Sequence, residues 1–354
     1  MSVQLITDLL KNVNYPGYSR DIVSFGLIRE TLFENGLAQI KLEIVASDPT
    51  LPKKLKDEIE NTLLANEEIK KVEVQIVVKK PPVDQSINGQ VEEGSALAGV
   101  KKIIAVASGK GGVGKSTLAV NLACAMERIF SSELSKPAKI GLMDCDVYGP
   151  SVPLLIGASG QPESLGDDRI APIESYGVKV MSMALLVDED APVVWRGPMV
   201  MKTIQQFAAN VEWSELDLLL IDLPPGTGDA QLSIAQTMPL DGVVVVTTPQ
   251  KAAVDVARRG ARMFEKVNVP ILGVVENMSF LLNEETGEKS HLFGKGGGPV
   301  TAHALSTSFL GEIPIHEEIR MGGDHGLPIV VSNPEHFASQ AIIAVAQEIY
   351  SILD

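Results

Sequence analysis

The ten residues Ser108-Gly109-Lys110-Gly111-Gly112-Val113-Gly114-Lys115-Ser116-Thr117 carry the clearest chemistry in the chain. Gly109 to Ser116 fit the spacing G-x-x-x-x-G-K-[ST], which serves triphosphate binding when it joins a strand to a helix. That context is present: the apolar run Ile103–Ala107 precedes the loop, and a helical stretch, Leu118–Ile129, follows it. Glycines allow a loop to wrap closely enough for its N–H groups to face phosphate oxygens, with the helix N-terminus adding its positive end. Lys115 should reach the β- and γ-phosphates, and the Ser116 hydroxyl should ligate Mg²⁺. The nucleotide-binding set is therefore Gly109, Lys110, Gly111, Gly112, Val113, Gly114, Lys115, Ser116 and Thr117. Lys110, directly after the first glycine, is a second cation that this chemistry does not ordinarily require.

Acidic residues end two further apolar runs. Leu216–Ile221 leads into Asp222, the usual place for a carboxylate in the Mg²⁺ shell, and then into Leu223-Pro224-Pro225-Gly226-Thr227-Gly228-Asp229, which reads as a nucleotide-sensing switch. Ile140–Met143 leads into Asp144-Cys145-Asp146. One of Asp144 and Asp146 would orient the attacking water and the other the metal's water ligands; the residues leave open which.

These groups need a scaffold that brings several strand ends together. Five short apolar runs, Ile103–Ala107, Ile140–Met143, Leu216–Ile221, Val243–Thr247 and Ile271–Val275, alternate with segments long enough for crossover helices. Such a pattern predicts an α/β domain with a mostly parallel sheet covered by helices on both faces, its ligands lying beyond the carboxyl ends of the strands. This domain should occupy residues 101–354. Residues 79–100, polar and carrying Pro81-Pro82, read as a linker. Residues 1–78 read as a small α-β-β-α-β module: a helix over Leu5–Val13, strands over Gly26–Phe33 and Ala38–Val45 around Asn35-Gly36, a helix over Leu51–Ala65, and a strand from Val72.

The 354 residues carry 30 basic and 45 acidic side chains, a net charge of −15. An acidic chain without a basic run longer than a pair is not expected to bind nucleic acid or anionic membrane surfaces. No targeting segment or membrane span is expected, and two cysteines in 354 residues match a reducing cytoplasm. Cys124 falls among apolar helix residues and reads as a packed small hydrophobe. The five histidines (His291, His303, His316, His325, His336) have no paired spacing and read as separate residues.

The variant loop Lys-Gly-Gly-x-Gly-Lys, with Lys110 and Lys115, resembles that of the MinD/ParA/nitrogenase-iron-protein ATPases, which are P-loop NTPases. The resemblance implies a homodimer in which Lys110 crosses to the partner's nucleotide, and Asn277 resembles the adenine-reading asparagine of that group. Further strings narrow the likeness: Asp146-Val147-Tyr148-Gly149-Pro150-Ser151, Trp195-Arg196-Gly197-Pro198-Met199, Asp222 to Asp229, Thr248-Pro249-Gln250 and Glu276-Asn277-Met278-Ser279. In this order they resemble the Mrp/ApbC family of iron–sulfur cluster carrier ATPases over essentially all of 101–354. The N-terminal module is similar to the cluster-assembly-associated domain often fused to them. The resemblance implies a cytoplasmic homodimer that binds ATP and Mg²⁺, acts as a slow ATP hydrolase through Lys110, Asp144, Asp146 and Asp222, and delivers Fe–S clusters to apoproteins. It also implies a Cys-x-x-Cys pair after Glu276–Ser279, so that two subunits offer four thiolates. Here Asn283 and Thr286 occupy those positions, neither being a soft thiolate ligand. The cluster ligands are thus unknown, and the alternative function is an ATP-switched adaptor that holds no cluster.

Overall fold

The computed structural model describes residues 3–11, 13, 22–23, 27–34, 36–45, 51–66, 69–79, 97, 99–187 and 197–353. Most of the expected linker, together with Asn14–Gly17, Ser47–Thr50 and Trp195-Arg196, lies outside them. The chain divides into two compact units, residues 1–89 and 90–354.

The small unit follows the expected order: α1 (Val3–Leu10), β1 (Ile28–Glu34), β2 (Leu37–Val45), α2 (Leu51–Leu64) and β3 (Lys71–Lys79). β1 and β2 pair antiparallel through a turn in which Gly36 takes φ +83°, a value that glycine adopts without strain. β2 and β3 pair parallel, which requires the crossover that α2 supplies. Along β2, Ala38, Ile40 and Leu42 are buried while Gln39 and Lys41 are exposed. The buried face packs with Ile6 and Leu10 of α1 and with Leu55, Ile59 and Leu63 of α2.

The large unit runs β4 (Ile103–Ser108), α3 (Lys115–Leu134), β5 (Ile140–Asp144), α4 (Val152–Ile156), a small pair β6 (Ser164–Gly166) and β7 (Arg169–Ile170), then β8 (Ile173–Ser175) and β9 (Val178–Met181). It continues with α5 (Gly197–Asn210), β10 (Leu218–Asp222), α6 (Asp229–Thr237), β11 (Gly242–Thr247), α7 (Lys251–Lys266) and β12 (Ile271–Glu276). A hairpin, β13 (Leu281–Leu282) and β14 (Lys289–Ser290), leads to α8 (Gly297–Ala304), β15 (Ser308–Glu312), α9 (Glu317–His325), α10 (Ile329–Ser332) and α11 (Phe337–Leu353).

Eight strands form one sheet in the order β15-β12-β11-β4-β10-β5-β9-β8. Every neighbouring pair is parallel except the edge pair β8–β9. The alternation of strand residues feeds two cores. Ile104 and Val106 of β4 join Leu118, Leu122 and Met126 of α3 on one face. Ile103, Ala105 and Ala107 join Ile204, Phe207 and Trp213 on the other. The five expected strands are present. β8, β9 and β15 add three that the sequence reading missed, because none is a continuous apolar run: β15 is Ser-Phe-Leu-Gly-Glu, and β8 is an edge strand of Ile-Glu-Ser. The terminal helix α11 packs on α3, with the Phe130 and Tyr350 rings edge-to-face at 4.8 Å. Among the described residues no helix is long and apolar enough to cross a membrane.

Candidate functional site

The three central strands β4, β10 and β5 are in register, so their last residues converge. Asp222 lies beside Val106 on one flank and beside Asp144 on the other. The loop after β4 turns back over this point and enters α3 at Lys115. Gly112 (φ +78°) and Gly114 (φ +77°) are left-handed, a conformation that costs an L-residue about 1–2 kcal/mol. Gly109 is required for a different reason: a Cβ there would lie 2.5 Å from the Ala257 amide nitrogen and 2.6 Å from the Val256 carbonyl carbon, both in α7. A Cβ at Gly114 would collide with the Asn277 amide. That amide donates to the Val113 carbonyl at 2.8 Å, so Asn277 at the end of β12 is tied to the loop itself.

Lys115 and Asp222 form the centre. The Lys115 ammonium lies 2.5 Å from Asp222 Oδ1 and 3.1 Å from Ser116 Oγ, and Ser116 Oγ donates to Asp222 Oδ2 at 2.6 Å. Both charged groups are buried. Burial pushes the Asp222 carboxyl above its ordinary range, while Lys115 and the Ser116 hydroxyl oppose the shift. Asp144 is also buried, and burial together with the negative charge of Asp222 raises it to about 7. It accepts hydrogen bonds from the Asp146 amide (3.0 Å), the Ser182 hydroxyl (3.0 Å) and the Val152 amide (3.3 Å). Asp146 is only half-buried, its carboxylate facing the Gly149 amide at 3.3 Å. Lys110 is half-buried and makes no ion pair among the described residues. Thr117 accepts from the Asn121 side chain through its carbonyl.

The donor set fits a nucleotide phosphate chain with a hard divalent cation. The loop carries glycines where a side chain would fill the cradle, nothing stands within 4 Å of a Cβ at Gly111 or Gly112, and a hydroxyl and a carboxylate meet beside a lysine. The sequence reading missed two supports. Ser182, in the segment after β9, steadies Asp144. Gln231 of α6 donates to the Ser108 carbonyl at 3.1 Å and to the Pro224 carbonyl at 2.5 Å, binding the phosphate loop to the segment after β10. Neither carries a motif, since each works through a fold contact more than 30 residues distant or through a neighbour's backbone.

The turn between β13 and β14 contains Asn283 and Thr286. Asn283 Oδ1 accepts from the Glu285 amide (3.0 Å) and the Thr286 amide (3.1 Å), and Thr286 Oγ1 accepts from the Glu288 amide (3.3 Å). Hydrogen bonds therefore close a turn that has no thiol, and its residues do not fit an Fe–S cluster. The two cysteines offer no substitute. Burial, with a smaller contribution from Glu127, pushes the Cys124 thiol up to about 12; burial also pushes Cys145 well up, reinforced by Asp144 and Asp222. The expectation of separate histidines is corrected: the His316 and His336 rings lie 4.4 Å apart. Twenty residues separate them, and the fold of α9 and α10 returns the chain to the same point.

Residues 99–350 match the profile of the NUBPL iron-transfer P-loop NTPases. The chain belongs to this family. Residues 4–76 match the profile of an iron–sulfur cluster assembly protein. An iron–sulfur cluster carrier protein of Synechocystis is 36% identical over 99% of this chain and 97% of its own length. A mitochondrial iron–sulfur protein required for NADH dehydrogenase from Arabidopsis thaliana is 52% identical over 72% of this chain and 79% of its own. Among solved structures, a nucleotide-binding protein from Archaeoglobus fulgidus, in complex with ADP, superposes with TM-score 0.58 at 36% identity, covering 68% of this chain and 91% of that one. The cell division ATPase MinD of Pyrococcus furiosus, at 22% identity and TM-score 0.51, covers 71% and 99% and shares the fold. The iron-transfer NTPase unit is thus the larger of the two compact units.

Proposed function

We propose that this protein is a homodimeric ATPase that binds ATP with Mg²⁺, hydrolyses it slowly, and serves as an iron–sulfur cluster carrier or assembly factor delivering clusters to apoproteins. The carrying observation is the Lys115–Ser116–Asp222 constellation beneath a glycine cradle, in a chain of the iron-transfer family. In the arrangement described here Asp222 holds both Lys115 and Ser116. With a triphosphate bound, Lys115 would turn to its oxygens, Asp222 and the Ser116 hydroxyl would hold the cation's ligand shell, and the cation would supply charge neutralisation at the phosphates. Asp146, half-buried, would orient the attacking water; Asp144, raised and hydrogen-bonded on both oxygens, ties the segment after β5 to Ser182 after β9. Lys110, half-buried and without an ion pair among the described residues, would be the group that meets a partner subunit's nucleotide. Gln231 and Gly226, both bonded to the Ser108 carbonyl, carry changes at the phosphates into the 223–229 segment.

The cargo is not held by thiolates at residues 283 and 286, and no step is assigned to that turn. This observation favours a second reading, an ATP-switched adaptor that docks partners while holding no cluster. Anaerobic reconstitution with iron and sulfide, followed by transfer to an apoprotein, separates them. Absence of bound iron and sulfide together with absence of transfer overturns the carrier role. Partner binding that depends on ATP and ignores an iron chelator supports the adaptor.

A further inference from the structure

The turn that lacks thiols brings a different donor set together. Glu284, next to Asn283, meets His316 and His336, and one donor atom from each lies within 4.8 Å of the others. His316 Nε2 is 3.1 Å from Glu284 Oε1, and the two imidazoles stand 4.4 Å apart with a tilt of 49°. Glu284 is exposed, whereas the His316 side chain is only 13% exposed, so the cluster has a fixed floor and an open mouth. Three separate segments supply the donors, and one backbone bond, one side-chain bond and one ring contact hold them together. The Ile315 amide donates to the Phe280 carbonyl at 2.7 Å, docking the hairpin on the approach to α9. Asn333 Nδ2 donates to Glu318 Oε2 at 3.2 Å, docking the approach to α11 on α9. The Phe337 ring packs edge-on against His316 at 5.3 Å.

We propose that Glu284, His316 and His336 form a binding site for a single divalent transition-metal ion, with the remaining coordination positions open to water or to a client's ligand. Two imidazoles and a carboxylate without a thiolate suit Zn²⁺, Co²⁺, Ni²⁺ or Fe²⁺; they suit neither an all-oxygen Ca²⁺ or Mg²⁺ site nor an Fe–S cluster. Bond lengths of about 2.0–2.2 Å place donors roughly 3.0–3.5 Å apart, so the exposed Glu284 side chain swings inward to close the sphere. The histidines have a second duty. His316 Nδ1 accepts from the Glu318 amide and His336 Nδ1 from the Ala338 amide, each at 3.2 Å, at the N-termini of α9 and α11. These bonds leave the proton of each neutral ring on Nε2. An ion entering at Nε2 displaces that proton to Nδ1, and the capping bond is given up. Each lost cap weakens the site about fivefold relative to one whose outer nitrogens already donate. The site is therefore a binder of exchangeable metal, and occupancy loosens the first turns of two helices.

The test uses the full chain, stripped with a chelator and free of sulfide, titrated with Co²⁺ alone and followed by visible absorption, and with Zn²⁺ alone by calorimetry. The expected result is one ion per chain. His316→Gln and His336→Gln should weaken binding about tenfold or more. Glu284→Gln, on an exposed turn and removing no capping bond, should do the same while the protein remains folded, whereas His325→Gln should leave the titration unchanged. A Co²⁺ spectrum that stays that of the aqueous ion, or an affinity that ignores all three ligand substitutions, overturns the proposal. The site is independent of the carrier reading, which is judged by iron with sulfide, so either can fail alone.

Discussion

Asp144→Asn tests the electrostatics of the strand-end carboxylates through their effect on stability. Burial and the Asp222 charge raise Asp144 to about 7. In the unfolded chain an aspartate titrates near 3.9, so between those values the folded protein keeps a proton that the unfolded one has lost. For an acid raised on folding, stability therefore falls as pH rises, and the loss is complete above the folded value. One proton is worth about 1.4 kcal/mol per pH unit, which makes the decline from pH 5.5 to pH 7 about 2 kcal/mol. The asparagine variant lacks this proton, so its stability should gain about 2 kcal/mol relative to the natural protein across that interval, whatever the substitution costs in hydrogen bonds. For a unit of this size the gain corresponds to roughly 4–8 °C in Tm. The assay is chemical unfolding of nucleotide-free protein at several pH values, followed by the fluorescence of Trp213, which is buried in the large unit. Parallel pH profiles for the two proteins would refute the reasoning, because they would mean that Asp144 is charged in the folded state throughout.

Lys115→Ala should abolish ATP binding in equilibrium titration; at pH 8 it should also cost roughly 3–5 kcal/mol of stability by leaving the buried Asp222 without its cation. Lys110→Ala should leave ATP affinity within a few-fold and slow turnover by about a hundredfold or more, an outcome that equal losses of binding in both lysine variants would contradict. Gly114→Ala should lose about 1–2 kcal/mol to its left-handed backbone and displace the Asn277 amide, so nucleotide affinity should fall about tenfold or more while the fold survives. Both thiols should resist a thiol reagent in the native protein and react on unfolding, since burial holds Cys124 near 12 and Cys145 well above its ordinary value.

Much of the candidate nucleotide site was legible because its information is local. The loop from Gly109 to Thr117 is one unbroken segment, and Asp144 and Asp222 each end an apolar run, so spacing alone placed them at strand ends. The central parallel strands were legible for a related reason: a strand buried on both faces is apolar throughout. Edge strands lack that constraint, so β8 and β15 were not visible as runs. Ser182 and Gln231 were not legible either. A hydroxyl that steadies a carboxylate 38 residues earlier, or an amide that bonds a backbone carbonyl 123 residues earlier, leaves no pattern in composition or spacing.

The region after Asn277 divides the two kinds of information most sharply. Residue identity alone determined that no Cys-x-x-Cys stands there, because a missing sulfur cannot be restored by folding. It also determined the phosphate loop, whose backbone geometry only glycine can supply. What replaces the sulfur was decided by the tertiary structure. Asn283 and Thr286 close the turn by hydrogen bonds to amides within three residues, and Glu284 meets two histidines that lie 32 and 52 residues further along. Those donors converge because β13 docks against the approach to α9 and because α10 returns the chain to the start of α11. Sequence distance records none of this, since the contact energy is set by which backbone segments pack together and not by how far apart they are along the chain.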